Sequence, residues 1–314
     1  MSLLDSTKSV LTGPNGVKWQ AAETECPLCK SNDHRLIGFR GGLYHRDKLG
    51  VESRVVQCRQ CELYYADPVL LPLSNPYAAE GEYFINHDRS WKVDQGAELA
   101  NRVESIIGRK GRIIEPACGT GDFLLGAQRV GWEVRGVEMT QSFVSEGHKN
   151  GLDIEYASVE QSKYLDEEYD AIFMLAMLEH LYDPISMLRK ANSALKTGGI
   201  AVINVPNEVT SLVNTLGNVY VKGTYGSKWT MSLSPTFSPY HVVGFSPSSL
   251  RTALEMTGFE VVELRTDSGV SVLPKPKGLK QSLESIGLRL LLAAGKVADK
   301  FNRGNEIMCW ARKR

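Results

Sequence analysis

The sequence holds no apolar run long enough to cross a bilayer. Its longest, Ala171 to Leu178, falls far short of the ~20 residues a spanning helix needs. It carries no excess charge, with Lys+Arg 36 against Asp+Glu 36 in 314 residues, so the chain as a whole has no electrostatic reason to bind nucleic acid. No long apolar stretch follows a basic start in MSLLDSTKSV, so no secretory leader is expected, and a cytoplasmic location is. Internal repeats and low-complexity tracts are absent as well. What is there is 42% apolar and 23% charged, a balance that suits a folded chain and argues against disorder. The length fits one large domain with a small appendage.

Cysteine is scarce but not scattered. Four of the six stand as two pairs, Cys26-Pro-Leu-Cys29 and Cys58-Arg-Gln-Cys61, while Cys118 and Cys309 stand alone. In a cytosolic chain a disulfide framework is not expected. Two C-x-x-C knuckles present four thiolates tetrahedrally to zinc, and four cysteines leave no open coordination position, so the expected ion is structural. The stretch between the pairs is long enough to hold strands, read at Arg35–Phe39 and Val51–Val56. Pro68, Pro72 and Pro76 mark a boundary, which divides the chain into a zinc-binding module, 1–75, and a larger domain, 76–314.

The larger domain opens with a helical segment from about Asp94 to Ile107. Its strongest signal begins at Arg112-Ile-Ile-Glu115, a short apolar strand. Pro116-Ala-Cys-Gly119-Thr-Gly121-Asp follows as a tight loop of small residues, then a helix from Phe123 to Val130, then a strand that ends in Glu138. Strand, glycine loop, helix, strand and acid form the nucleotide-binding half of a doubly wound sheet. The dinucleotide pattern G-x-G-x-x-G does not fit, because Leu124 or Asp122 falls in the third glycine slot. An acid at the helix start would repel phosphate. Glu115 points instead to a cationic ligand, and Glu138 to a ribose diol. S-adenosylmethionine has both features and no phosphate.

These residues resemble the class I S-adenosylmethionine-dependent methyltransferases, from about Tyr77 to the C-terminus. Glu115-Pro-Ala-Cys-Gly-Thr-Gly-Asp is similar to the family's first motif, with Ala117 in place of its first glycine. Tyr169 to Leu181 is similar to the fourth strand and its following turn, Leu195 to Asn207 to the turn and fifth strand, and Tyr240-His241 through Phe259 to the later helix and sixth strand. The branch indicated contains ubiquinone-type O-methyltransferases and sugar-modifying enzymes. The preceding knuckles resemble those of deoxysugar and glycan methyltransferases. The resemblance implies an α/β fold: a doubly wound, seven-stranded Rossmann-like sheet behind a small zinc-ribbon-like module. Its final strand, Ile307 to Arg312, would run antiparallel beside the sheet's edge. Local signals agree, since Asp183-Pro184 and Ser246-Pro247 each supply an N-cap and a first-turn proline.

The cofactor shell implied is Glu115, Ala117, Gly119 and Gly121 at the methionine part, Glu138 and Met139 at the ribose, Ser158 and Val159 near adenine, Leu175 beneath, and Tyr83 closing from the N-terminal side. A hydroxyl acceptor needs a general base, and histidine is the commonest choice. His180, after the fourth strand, and His241, in a proline-flanked loop after the fifth, are both candidates. The acceptor expected is a small molecule: a sugar, sugar nucleotide or glycan, a lipid-linked glycan included. A phenolic or natural-product scaffold, with O- or C-methylation, is the alternative within the same class. A non-catalytic zinc-ribbon binding protein is the alternative outside it. No nucleic-acid partner is expected. Two segments exceed the minimal fold. Residues 208–239 read as a substrate lid. Residues 267–304 carry apolar residues at helical spacing (Leu283, Ile286, Leu290, Ala294, Val297, Phe301) in a basic stretch that suits peripheral membrane contact.

Overall fold

The computed structural model describes residues 10–76, 89–164, 168–268 and 295–314. The N-terminal part is built from short strands: β1 (Val10–Thr12), β2 (Lys18–Ala22), β3 (His34–Arg40), β4 (Ser53–Cys58), β5 (Tyr64–Ala66) and β6 (Val69–Pro72). Strands β1, β2 and β6 form one antiparallel sheet, and β3, β4 and β5 belong to a second. The larger part runs α1 (Ser90–Ile107), β7 (Arg112–Pro116), α2 (Asp122–Arg129), β8 (Glu133–Glu138), α3 (Gln141–Lys149), β9 (Ile154–Tyr156), β10 (Tyr169–Leu175), α4 (Pro184–Ala194), β11 (Leu195–Pro206), α5 (Leu212–Tyr225), β12 (Val243–Gly244), α6 (Pro247–Met256), β13 (Phe259–Asp267) and β14 (Glu306–Lys313). No helix among the described residues is long and apolar enough to cross a membrane.

The seven-stranded sheet has the order β13-β14-β11-β10-β7-β8-β9, all parallel except β14, which pairs antiparallel with both β11 and β13. It is the doubly wound α/β sheet the sequence implies, with the last strand inserted one place in from the edge. Because side chains alternate along a strand, the central strands feed two cores. Ile114, Ile172, Met174, Ala201 and Ile203 face α4 and α6, while Ile113, Ala171, Phe173 and Val202 face α1, α2 and α3. Both faces of the central strands are covered, which explains their near-continuous apolar runs.

Local chemistry sets the helix starts. Asp183 accepts from the Ser186 N–H at 3.0 Å with Pro184 in the first turn, and Ser246 and Ser249 form a reciprocal capping box before α6. Helix α1 begins at Ser90, a turn earlier than the sequence pattern suggests, because its N-terminal turn packs on α2. Gly96 and Gly126 allow that approach, since a Cβ on either would run into the other helix's backbone.

The two parts of the chain are not separated at residue 75. Strand β12 pairs with β5, so the cysteine-bearing sheet is completed by Val243–Gly244 from the far side of the sequence. The core under α4 and α6 also contains Cys26, Leu28, Val56, Cys58, Leu63 and Tyr65. The segment 208–239, read as a lid, holds α5 and then a loop fastened to the β3–β4 hairpin. Trp229 bridges Phe39, Arg40 Nε donates to the Leu233 carbonyl at 3.2 Å, and Thr236 Oγ1 both accepts from the Val51 N–H and donates to the Val51 carbonyl. Ser232, Ser234 and Thr236 are buried, so the loop is a packed wall of the protein. In the 267–304 segment, residues 269–294 lie outside the described residues, with Leu283, Ile286, Leu290 and Ala294 among them; Val297 and Phe301 are exposed.

Candidate functional site

The carboxyl ends of β7, β8, β10 and β11 face a cleft beside the point where the sheet reverses its winding, between β7 and β10. That is where ligands bind in open α/β sheets. Strand β7 ends by burying Glu115, whose Oε2 has no hydrogen-bond partner among the described residues. Burial pushes its carboxyl well above the usual range; Asp122 and Glu138 add to the rise, and Lys92 opposes it. A buried carboxylate without a partner costs free energy that a cationic ligand would offset. The loop beyond it turns through Ala117, Gly119 and Gly121, all in the left-handed region, with φ of 55°, 57° and 79°. Ala117 is exposed at the mouth and holds the backbone conformation that glycine adopts without strain. A Cβ on Gly119 would meet open space, so this backbone can be approached from the cleft. At Gly121 that space is filled by Leu152, so the glycine there serves packing.

Glu138, at the end of β8, is buried and bridges two loops. Its Oε2 accepts from the Gly119 N–H at 3.0 Å and its Oε1 from the Thr140 N–H at 2.7 Å. Each oxygen retains a lone pair for a diol. Met139 is exposed beside it. Ser158 and Val159 follow β9, next to Ala157, whose N–H donates to the Glu138 carbonyl. Leu175 ends β10, half-buried. These residues follow or end β7, β8, β9 and β10 at the carboxyl end of the sheet. Tyr83 lies outside the described residues. Cys118 is buried against Gly136 and packs the loop.

The two histidines meet on the other side. After β10 a single helical turn, Leu178–His180, carries Glu179 and His180. The rings of His180 and His241 stand edge to face with centroids 5.1 Å apart, and ligating atoms of Glu179, His180 and His241 all lie within 4.8 Å of one another. Burial, with help from the neighbouring His241, pulls His180 down to about 4, so it is neutral at physiological pH. Its Nδ1 lies 3.3 Å from the Tyr240 carbonyl. His241 differs. Burial pulls it down too, but the hydrogen bond from its Nδ1 to Glu208 Oε1 at 3.2 Å and the charges of Glu179, Glu208 and Glu306 outweigh that, so it lies above the ordinary value. Glu179 is pushed by burial to about 8. Glu208 and Glu306 were not foreseeable in the sequence. Glu208 precedes His241 by 33 positions and Glu306 comes from β14; neither sits in a recognisable spacing with it.

Between His180 and the N-terminal sheet lies a cavity of about 370 Å³, lined by Trp19, Pro72, Pro76, Met139, His180, Tyr182 and Tyr240 among others. Tyr182 Oη donates to the Leu70 carbonyl at 3.0 Å and so ties the helical turn to β6. The lining is mostly apolar and runs from Met139, beside Glu138, to His180.

The four knuckle cysteines converge. Sγ of Cys26 lies 3.4 Å from Sγ of Cys61, that of Cys29 lies 3.4 Å from that of Cys58, and all four fall within 4.8 Å of one another. A tetrahedral zinc with Zn–S of about 2.3 Å sets sulfurs about 3.8 Å apart. The knuckles are near copies. The N–H groups of Lys30 and Glu62 bond back to the carbonyls of Cys26 and Cys58, and those cysteines' N–H groups bond to the carbonyls of Ser31 and Leu63. Lys30 and Glu62 both have φ near +60°, at 61° and 65°. Cys26 is lowered to about 5, first by its contact with Cys61, and backbone N–H groups of Cys29 and Leu28 assist; Cys61 rises in turn, because one proton is shared between the two sulfurs. Donor type, count and spacing fit a structural zinc ion.

Residues 86–264 match the protein family described as "Methyltransferase domain". No curated protein matches the sequence. Among solved structures, the plantazolicin methyltransferase BpumL in complex with SAH is similar at 13% identity and a TM-score of 0.50, over 77% of this chain and 91% of that one. A SAM dependent methyltransferase from Archaeoglobus fulgidus is similar at 21% identity and a TM-score of 0.47, over 74% and 99%. An S-adenosylmethionine dependent methyltransferase from Mesorhizobium loti gives 16% and 0.46, over 70% and 100%.

Proposed function

Since the chain belongs to the methyltransferase-domain family, and with it to the S-adenosylmethionine-dependent methyltransferases, we propose that it methylates a hydroxyl of a small molecule held in the cavity between His180 and the N-terminal sheet. The observation that carries the cofactor side is the buried Glu115 Oε2, without a partner among the described residues, under a loop whose Gly119 opens onto the cleft, beside a Glu138 carboxylate with acceptor capacity to spare. Glu115 would receive the ammonium of the methionine part, Glu138 the ribose hydroxyls, and Ser158 and Val159 would flank adenine. When bound, S-adenosylmethionine supplies a methyl carbon whose bond to sulfur breaks, the sulfur keeping the electron pair, as the acceptor oxygen forms its own bond to that carbon. The chain's part is to hold the two partners in line and to take the hydroxyl proton on a histidine. A zinc ion on Cys26, Cys29, Cys58 and Cys61 would be structural, fixing the sheet that β12 completes.

For the acceptor we favour a sugar, sugar nucleotide or glycan, supported by the likeness of the knuckles to those of sugar-modifying methyltransferases. The lining of the cavity supports a second reading. Trp19, Pro72, Pro76, Tyr182 and Tyr240 offer apolar faces, which suit a phenolic or natural-product scaffold as well as the apolar face of a sugar ring. Calorimetry with S-adenosylmethionine and S-adenosylhomocysteine tests the first step, and micromolar binding is expected. Formation of S-adenosylhomocysteine is then followed over a panel of sugar nucleotides and a panel of phenols. Turnover confined to phenols overturns the sugar assignment. No cofactor binding by folded, zinc-loaded protein overturns the enzyme reading in favour of a binding module. Contact of the basic C-terminal segment with anionic lipid is a further proposal, and vesicle co-sedimentation decides it.

A further inference from the structure

Glu208 stands immediately after β11 and Asn207, and every polar atom of its side chain is engaged. Oε1 faces His241 Nδ1 at 3.2 Å. Oε2 accepts from Asn214 Nδ2 at 3.2 Å and from the Leu233 N–H at 3.4 Å. Asn214, on α5, also donates to Ser232 Oγ, and Asn218 one turn on accepts from Thr230 Oγ1 and the Met231 N–H. The carboxylate is therefore clamped between α5 and the loop that leads to His241. From the other side the Ser234 hydroxyl accepts from the His241 backbone N–H at 3.1 Å. The ring is held at Nδ1, and Nε2 makes no hydrogen bond among the described residues.

From this geometry we infer that Glu208 is a positioning residue for methyl transfer: it fixes the tautomer of His241 with the proton on Nδ1, leaves Nε2 as the acceptor, and stabilises the imidazolium formed when Nε2 takes the proton of the acceptor hydroxyl. The inference rests on the methyl-transfer reading given above. The proton moves from the hydroxyl to Nε2, the oxygen's electron pair goes to the methyl carbon, and the charge gained by the ring is balanced by Glu208. A carboxylate bonded to the far nitrogen of an imidazole raises its basicity and locks its orientation. The groups facing His241 are consistent with this. Glu208 comes from the end of β11, Glu179 and the neutral His180 from the helical turn after β10, and Glu306 from β14; Arg40 of β3 lies near Glu208. The Glu208 carboxylate on Nδ1 favours the protonated form of the ring, and Glu179 and Glu306 add to this wherever they are ionised. His180 meets the Tyr240 carbonyl at Nδ1 and has Glu179 Oε1 3.8 Å from Nε2; burial together with the neighbouring His241 makes it lose its proton at far lower pH. Of the two histidines at the site, His241 is the base.

The test is an NMR titration of the imidazole carbon-bound protons in the full, zinc-loaded chain, with the His241 resonance assigned through His241→Gln. In the wild type its midpoint is expected above 6.5. In Glu208→Gln it should fall by about one pH unit, because a charge within hydrogen-bond reach is removed, and in Glu208→Asp it should recover in part. A wild-type midpoint at or below 6.5, or one unmoved in Glu208→Gln, overturns the inference; the first outcome needs no Glu208 variant to fold. Calorimetry with S-adenosylmethionine runs on the same samples. Wild type that binds no cofactor breaks the methyl-transfer reading, whereas bound cofactor with an unshifted His241 breaks only the role of Glu208.

Discussion

The two sides of the cleft are put together in opposite ways. On the cofactor side, Glu115, the glycine loop and Glu138 follow one another along the chain, and the bond that joins them, Gly119 N–H to Glu138, spans 19 positions. On the histidine side almost nothing is local. Arg40 holds the Leu233 carbonyl across 193 positions, Thr236 holds Val51 across 185, Tyr182 holds Leu70 across 112, and β12 pairs with β5. The first side is a supersecondary unit that any doubly wound sheet can carry. The second exists only once the cysteine-bearing sheet has docked. Removing a residue on one side should therefore leave the other largely in place.

The metal module carries the largest expected effect. Cys58 ends β4; β4 pairs with β5, and β5 pairs with Val243, two residues beyond His241. A structural zinc contributes roughly 10–16 kcal/mol of folding free energy, comparable to the whole stability of an ordinary domain at about 5–15 kcal/mol. Cys58→Ser should abolish metal content by elemental analysis and cost more than about tenfold in turnover by freeing the His241 loop. S-adenosylmethionine binding should survive within a few-fold. Unchanged metal content refutes the four-cysteine site, and lost cofactor binding breaks the division between the two sides.

Glu138→Ala is the converse. It removes two acceptors from the ligand and two from the backbone N–H groups of Gly119 and Thr140. Hydrogen bonds to charged groups are worth roughly 1.5–3 kcal/mol, so calorimetry should show cofactor affinity weakened about 10- to 100-fold. Metal content and the His241 titration should not move.

That asymmetry also explains what could be read from sequence. The strand–loop–helix–strand–acid order, the caps at Asp183 and Ser246, the four cysteines and the antiparallel last strand are all local patterns or fixed spacings, and the fold shows each of those elements. Both histidines could be singled out by their place after strands, and the structure brings them together. Glu208, Glu306, Trp19 and Tyr182 could not. Their relation to the site is made by α5, β14, the β2 sheet and the β6 contact, and no periodicity links them. The 208–239 stretch differs from its lid-like composition for a physical reason. Its Gly, Ser, Thr and aromatic content is that of a mobile loop, but Thr230, Ser232, Ser234 and Thr236 spend their hydroxyls on packed hydrogen bonds instead of on water.

The smallest effect separates the sides by pH. Burial raises a carboxyl above its usual range on each side, Glu115 by the cofactor loop and Glu179 beside the histidines. Below pH about 4.5 Glu179 is protonated in the folded and unfolded chain alike. Between there and about 8 the unfolded chain gives up the proton while the folded chain retains it, so this group's contribution to stability falls as pH rises. Above about 8 the buried charge is in place and the penalty is complete. Glutamine never carries that charge. Glu179→Gln should therefore melt with the wild type near pH 4 and above it at pH 8.5, by no more than a few kcal/mol, while still binding S-adenosylmethionine. Glu115→Gln should show the same pH trend without ligand and lose the cofactor, because there the buried charge is what the ammonium needs. If both variants bind the cofactor equally well, Glu115 is a structural acid like Glu179 and the ligand's positive end must be held elsewhere.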